Sequence, residues 1–204
     1  MNLLLRLYEP TGGHITIDGC DIRTAAFADL RQHFGVSLQE PLLFDDSIEN
    51  NIRYGNDRLS HDDFMTITQA CDVHSFARCL EEKYRTVIGE QGAMLSEGQK
   101  QRIALARAVA RKPRVLIIDE GLSSVNSNSE QKIIRNLRCL LPQSTLIIIS
   151  HRLSAVMMCE NVFFLRNGSE AISGSPHALL QNDRTFTELF SGQYGLLYGE
   201  GHTG

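Results

Sequence analysis

The sequence predicts an α/β domain, a mostly parallel sheet with a helical subdomain inserted into it. Three observations point there. Strand-like runs alternate with helical ones along the chain, the order that strand–helix–strand units leave in a sequence. The runs VLII (115–118), LIII (146–149) and VFFL (162–165) are continuously apolar, as expected of strands whose two faces are both covered. The segment from about Ser47 to Leu80 carries polar helical stretches and no strand pattern, which marks it as an insertion. A chain of 204 residues is long enough for one domain with a smaller part attached.

Each element has its own reason. Leu3, Leu4, Leu5 and Leu7 are strong helix formers and predict a short helix, stopped by Glu9-Pro10-Thr11-Gly12-Gly13. No Ser, Thr or Asp precedes it as a cap. Residues 15–17 (ITI) and 35–38 (GVSL) read as short strands. Ser96 and Gln99 match a capping box, so a helix is predicted from there to about Lys112, closed by Pro113. Two further helices are predicted near residues 178–182 and 185–190. The Gly-rich end of the chain, within residues 191–204, is expected to be disordered.

Composition narrows the function. With 20 Lys and Arg against 24 Asp and Glu, the net charge of −4 argues against a nucleic-acid partner. Cys20, Cys71, Cys79, Cys139 and Cys159 are scattered and in no metal-ligand spacing, and read as reduced thiols. No apolar run approaches the roughly 18 residues that a membrane span needs. If the chain serves a membrane, it does so from the water side.

Two stretches carry chemistry. In RVLIIDEGLSSVN (114–126), four apolar residues deliver Asp119 and Glu120 at the carboxyl end of a strand, where open α/β sheets present acids to a ligand. In a phosphate-transfer site the first acid would hold Mg²⁺ and the second would take the proton of an attacking water. The plainer reading is a strand end with two solvated acids. In MLSEGQKQRIALARAVARKP (94–113), the predicted helix start offers unpaired N–H groups and a positive dipole end, and Gly98 permits close backbone approach. The plainer reading there is a capped structural helix.

The string LSEGQ followed by QRIALARA resembles the signature motif of ATP-binding cassette (ABC) ATPases. Other pieces match the family in order. VSLQEPLLFDDSIENNIRYG (36–55) is similar to the glutamine loop of exporter-type members, and TVIGEQG, from Thr86 to Gly92, to the loop that touches their membrane domain. RVLIIDEGLSSVN resembles the Walker B strand, catalytic glutamate and D-loop. TLIIISHRLSAV (145–156) resembles the switch-histidine segment, and FFLRNGSEAISGSPHALL (163–180) the closing hairpin and helix. The resemblance implies a P-loop NTPase-like ABC ATPase fold. Residues 1–46 would be partial ATPase core with the glutamine loop, 47–95 the helical subdomain, 96–190 the rest of the core, and 191–204 a tail.

It also implies roles and partners. Asp119 would bind Mg²⁺, Glu120 would polarise the attacking water, and His151 would contact the γ-phosphate. Gln39 would reach Mg²⁺ and the water and report nucleotide state to the membrane domain. Leu95, Ser96, Glu97, Gly98 and Gln99 would close a partner cassette's ATP site in trans, with Ser124 and Asn126 in the D-loop between. ATP and Mg²⁺ are the implied ligands. A second nucleotide-binding domain and a transmembrane domain, met through the glutamine loop and the 86–92 loop, are the implied partners, at the cytoplasmic face of a membrane.

The chain departs from the family pattern at several points. Glu97 stands where glycine is usual, Asn126 where the D-loop has aspartate, and Glu120-Gly121-Leu122 where small residues and a threonine are commoner. The phosphate loop, G-x-x-x-x-G-K-S/T, occurs nowhere in these 204 residues, so the fold is expected without its first strands and phosphate loop, and the chain alone is expected to bind ATP weakly or not at all. The expected function is the ATP-binding and ATP-hydrolysing part of an ABC exporter. The alternative is a catalytically inactive fragment acting as a regulatory or partner-completing module. Soluble relatives of DNA repair fit less well, because they place a long coiled coil where only a short helical segment stands here.

Overall fold

In a computed structural model that describes residues 1–166, 168 and 170–198, the elements follow the predicted alternation closely. In chain order they are β1 (Thr16–Ile17), β2 (Cys20–Asp21), α1 (Phe27–Arg31), β3 (Phe34–Leu38), α2 (Ile48–Arg53), α3 (His61–Ala70), α4 (His74–Ala77) and α5 (Glu97–Ala110). There follow β4 (Val115–Asp119), α6 (Ser127–Leu140), β5 (Thr145–Ile149), α7 (Leu153–Val156), β6 (Val162–Arg166), β7 (Glu170–Gly174), α8 (Pro176–Asn182) and α9 (Arg184–Tyr198).

The parallel sheet has the order β3-β4-β5. Successive residues of a strand face opposite sides, and β4 uses both. Leu116 and Ile118 enter a core with Ile103, Leu105, Ile133 and Leu137 of α5 and α6. Ile117 enters a second core with Ile22, Leu30 and Phe34. Both-face burial therefore holds for β4. The edge strand β5 is only partly covered, and Ile149 is exposed.

The third apolar run behaves otherwise. Residues 162–165 belong not to the parallel sheet but to β6, which pairs antiparallel with β7 as a separate hairpin. Val162 and Phe164 pack on Leu179, Leu180, Phe186 and Phe190 of α8 and α9, while Phe163 and Leu165 are more than 70 % exposed. A run of apolar residues marks a strand without fixing how many of its faces are covered.

Two further expectations are corrected. The leucine-rich start is a tight turn rather than a helix: Leu4 N–H donates to the Met1 carbonyl at 2.9 Å and Leu7 N–H to that of Asn2 at 2.9 Å, and Arg6 turns left-handed at φ 50°. So short a segment cannot repay helix nucleation. The Arg6 guanidinium holds the turn by donating to the carbonyls of Ile22 at 3.1 Å and Ala25 at 3.0 Å. At the other end, α9 continues to Tyr198, well past the point where fraying is predicted. Phe186 and Phe190 anchor it, and Gln193 ties it to the residues after β5. Residues 199–204 of the predicted tail lie outside the described residues.

The insertion is helical as predicted. Ser47 and Ser60 cap α2 and α3 through their hydroxyls, and among the described residues no strand falls between Ser47 and Leu95. It is not a detached unit. Ile48, Ile52, Phe64 and Ile67 share one continuous hydrophobic cluster with α5 and β4.

Candidate active site

Parallel strands in register bring their carboxyl ends to one edge, which is where a doubly wound sheet binds its ligand. Leu38 pairs with Asp119, and Asp119 with Ile149, so Gln39, Asp119-Glu120 and Ser150-His151 leave the sheet side by side. Glu120 adopts a left-handed backbone at φ 51° while its N–H donates to the Ile149 carbonyl at 3.0 Å. That conformation costs a non-glycine residue energy, and such strain gathers at functional sites. Here it turns the carboxylate towards β5. Glu120 Oε1 lies 2.6 Å from His151 Nδ1, with the glutamate largely buried and the imidazole largely exposed. The carboxylate can only accept, so Nδ1 carries the proton and Nε2 faces outward as an acceptor in the neutral ring or a donor in the charged one. Glu120 Oε2 is buried and has no hydrogen-bond partner among the described residues.

The site residues are not all in mutual contact. Among the described residues no hydrogen bond joins the Gln39 side chain to Asp119 or Glu120; Gln39 is exposed and only its carbonyl is held, by Gln101 Nε2 at 3.1 Å. Residues 95–99 make no hydrogen bond to Asp119, Glu120 or His151. They start α5 instead. Ser96 Oγ accepts from Gln99 N–H at 3.4 Å and Gln99 Oε1 accepts from Ser96 N–H at 2.9 Å, the predicted capping box. Glu97 turns back along the helix to Lys100, 3.6 Å away, which draws its charge towards that lysine. Gly98 presses on residues 124–125: a Cβ there would stand 2.8 Å from the Ser124 carbonyl oxygen.

The loop 121–126 is clamped from two sides. Gln101, itself 1 % exposed, accepts from Ser124 N–H at 3.0 Å and donates to Ser123 Oγ at 3.1 Å. Opposite, Arg152 donates to the carbonyls of Leu122 at 3.0 Å and Val125 at 2.7 Å and to Ser127 Oγ at 3.0 Å. Its guanidinium is also 3.3 Å from the buried Glu130 carboxylate, which accepts from Ser154 Oγ. Burial pushes the Glu130 pKa up, with Ser154 and Arg152 opposing. Asn126 Oδ1 caps α6 by accepting from Ser129 N–H at 2.9 Å, and asparagine caps a helix as well as aspartate does. Gly121 fits because a Cβ would lie 2.6 Å from the buried Ser37 Oγ. The side chains at 97 and 126 and the glycine at 121 thus have local structural reasons.

A second surface lies beside this edge. Ile48 N–H donates to the Thr86 carbonyl at 3.1 Å and Ile88 N–H to that of Asp46 at 3.1 Å, placing the 86–92 loop against the segment after Gln39. Arg107 of α5 donates to the carbonyls of Leu42 and Asn51, both at 2.7 Å, and its guanidinium faces the rings of Phe44 and Tyr54. Leu42, Phe44, Tyr54, Val87 and Met94 of these segments are exposed, with the Phe44 and Tyr54 rings in contact.

Comparison with known proteins identifies the family. A family profile described as ABC transporter matches residues 1–123. The chain belongs to the ABC transporter family. It is 36 % identical over 186 residues to ABC transporter B family member 14 of Arabidopsis thaliana, covering 91 % of this chain and 15 % of that protein. It is 35 % identical over 195 residues to human ATP-binding cassette sub-family B member 6, covering 96 % of this chain and 23 % of that protein. The structure of a bacterial Atm1-family ABC exporter with ATP bound superposes with a TM-score of 0.89 at 35 % identity, covering 95 % of this chain and 34 % of that one. The fold is that of an exporter-type ABC ATPase domain, and the chain spans between about a seventh and a third of the length of these relatives.

Within this ABC chain, sequence reasoning missed Gln101, Arg152, Glu130 and Gln193. Gln193 donates to the His151 carbonyl at 3.1 Å and accepts from Leu153 N–H at 2.9 Å, so α9 fixes the backbone that carries the histidine. Arg152 and Gln101 stand inside quoted motifs, and that adjacency was the available signal. Glu130 and Gln193 left none, because their partners are remote in sequence.

Proposed function

We propose that this chain works in the ATPase apparatus of an ABC exporter, hydrolysing ATP to drive transport across a membrane. The observation that carries the reading is the Glu120–His151 hydrogen bond at the carboxyl edge of the parallel sheet, next to Asp119. In this reading a water attacks the γ-phosphorus of ATP, the bond to the bridging oxygen of ADP breaks, and the water's proton passes to Glu120. Glu120 suits that role, because one carboxylate oxygen is tethered to His151 and the other has no partner among the described residues. His151, whose backbone is held by Gln193, would offer Nε2 to the γ-phosphate. The strand-end oxygens of the Asp119 carboxylate and the Gln39 amide suit a hard divalent cation. Mg²⁺ commonly takes only one or two protein oxygens and keeps water and phosphate oxygens for the rest. Bound there, Mg²⁺ would neutralise charge on the phosphates.

Residues 95–99 would act on the ATP of a second cassette paired head to tail; among the described residues they make no hydrogen bond to Asp119, Glu120 or His151. The exposed Leu42, Phe44, Tyr54, Val87 and Met94 surface would receive the transmembrane domain. In this reading the chain sits at the cytoplasmic face of a membrane; among the described residues no helix is long and apolar enough to cross one.

The test is Glu120→Gln, with phosphate release and nucleotide binding measured on the assembled transporter. Hydrolysis should fall by about 10²–10⁴-fold while ATP is still bound. Undiminished hydrolysis would remove Glu120 from the mechanism and the reading with it.

A further inference from the structure

Gln101 is a fully buried amide whose hydrogen-bonding groups are all used by segments far from it in sequence. One Nε2–H donates to the Gln39 carbonyl at 3.1 Å, the other to Ser123 Oγ at 3.1 Å, and Oε1 accepts from Ser124 N–H at 3.0 Å. The amide orientation is fixed by its neighbours. A flip would set the Gln39 carbonyl against an oxygen and the Ser124 N–H against an N–H. Only glutamine supplies two donors and one acceptor at this reach: glutamate lacks the donors, asparagine is one methylene short, and leucine or methionine offers none.

From this geometry we propose that Gln101 is a positioning residue that locks the Gln39 loop and the 121–126 loop together, so that the two move as one unit. The proposal rests on the reading of Gln39 and Glu120 as parts of one ATPase site. The same helix holds the Gln39 loop again further on, where Arg107 binds the Leu42 carbonyl beside the exposed apolar surface. A displacement of that surface reaches Ser123 and Ser124 through one side chain with no slack, because releasing it leaves the Ser124 N–H and the Gln39 carbonyl unpaired. Gly98, packed on the Ser124 carbonyl, prevents the loop from yielding on its other side.

The test uses Gln101→Leu and Gln101→Glu in the assembled transporter, read by amide hydrogen exchange and by steady-state ATP hydrolysis, with Glu120→Gln as reference. In Gln101→Leu, peptides spanning 37–43 and 119–126 should both exchange about tenfold faster while 103–110 is unchanged. Gln101→Glu keeps an acceptor for Ser124 but has no donors, so 119–126 should stay protected while 37–43 is released. Hydrolysis by Gln101→Leu should lose about tenfold in kcat with KM for ATP unchanged. Unchanged exchange in both loops, a rise in exchange that includes 103–110, or an unchanged kcat would each overturn the proposal. If the wild type shows no hydrolysis that Glu120→Gln removes, the ATPase reading fails, and the exchange pattern still decides whether the two loops are locked.

Discussion

Replacing Gly98 by alanine sets two effects of similar size against each other. Alanine is favoured over glycine inside a helix by roughly 1 kcal/mol, and by less in the first turn where Gly98 stands. Against that, the new Cβ would lie 2.8 Å from the Ser124 carbonyl oxygen and 3.4 Å from its carbon. A flexible side chain could swing away, but this is backbone. Gln101 holds the Ser124 N–H, and Arg152 holds the carbonyls of Leu122 and Val125 on either side. Forcing an extra methyl into such a place costs about 1–3 kcal/mol, so the packing term wins and a net loss of about 1–2 kcal/mol is expected. For a chain of this length that lowers the melting temperature by about 2–8 °C. The assay is thermal unfolding followed by circular dichroism without nucleotide, which separates packing from any effect on binding. A variant melting at or above the wild-type temperature would refute the packing argument and leave Gly98 a role only in approach to an anion.

Arg107→Ala should destabilise the protein by about 2–3 kcal/mol in denaturant titrations, because it strips a partly buried charged donor from Leu42 and Asn51; Arg107→Lys, which lacks the planar fork, should restore only part of the loss. Glu130 gives a pH dependence of defined sign. Its folded pKa is raised above the ordinary 4.5, so its contribution is greatest below that pH and is lost as pH rises through the folded value. Glu130→Gln should therefore gain in melting temperature relative to the wild type as pH rises above about 4.5, and a difference that is flat with pH would contradict this. Gln193→Ala frees the His151 carbonyl and the Leu153 N–H. Nuclear magnetic resonance of the His151 imidazole should then show a less ordered ring, with the signals of α5 unmoved.

What was legible in the sequence was whatever a local pattern determines. VLII before Asp119 marked a strand, and Ser96 with Gln99 announced a helix start that the structure reproduces in both hydrogen bonds. The same logic misread VFFL, because its partner β7 arrives from the far side of a turn and leaves Phe163 and Leu165 bare. It also missed the end of α9, which is held by Gln193 gripping residues some 40 positions earlier. Asp119, Glu120 and His151 could be named from their motifs. That Glu120 and His151 touch depends on β4 and β5 pairing in register and on the left-handed backbone at Glu120, and neither leaves a mark on spacing. Glu97 and Asn126, which depart from the family pattern, have local partners in Lys100 and Ser129.

The position of the insertion within the chain has a kinetic consequence. Phe34 and Val115 pair directly in the sheet, yet the whole of α2 to α5 lies between them. Bringing such distant strands together before anything else forms incurs a large loop-closure entropy, and topologies of this kind fold slowly. The shared cluster of Ile48, Ile52, Phe64, Ile67 and Ile103 offers a way around this. If the helices collapse first onto α5, the gap that β3 and β4 must close shrinks to a few turns before they meet. Refolding should then show helix appearing ahead of the sheet, and a lesion at Ile52 should slow folding more than one of equal cost at Phe190.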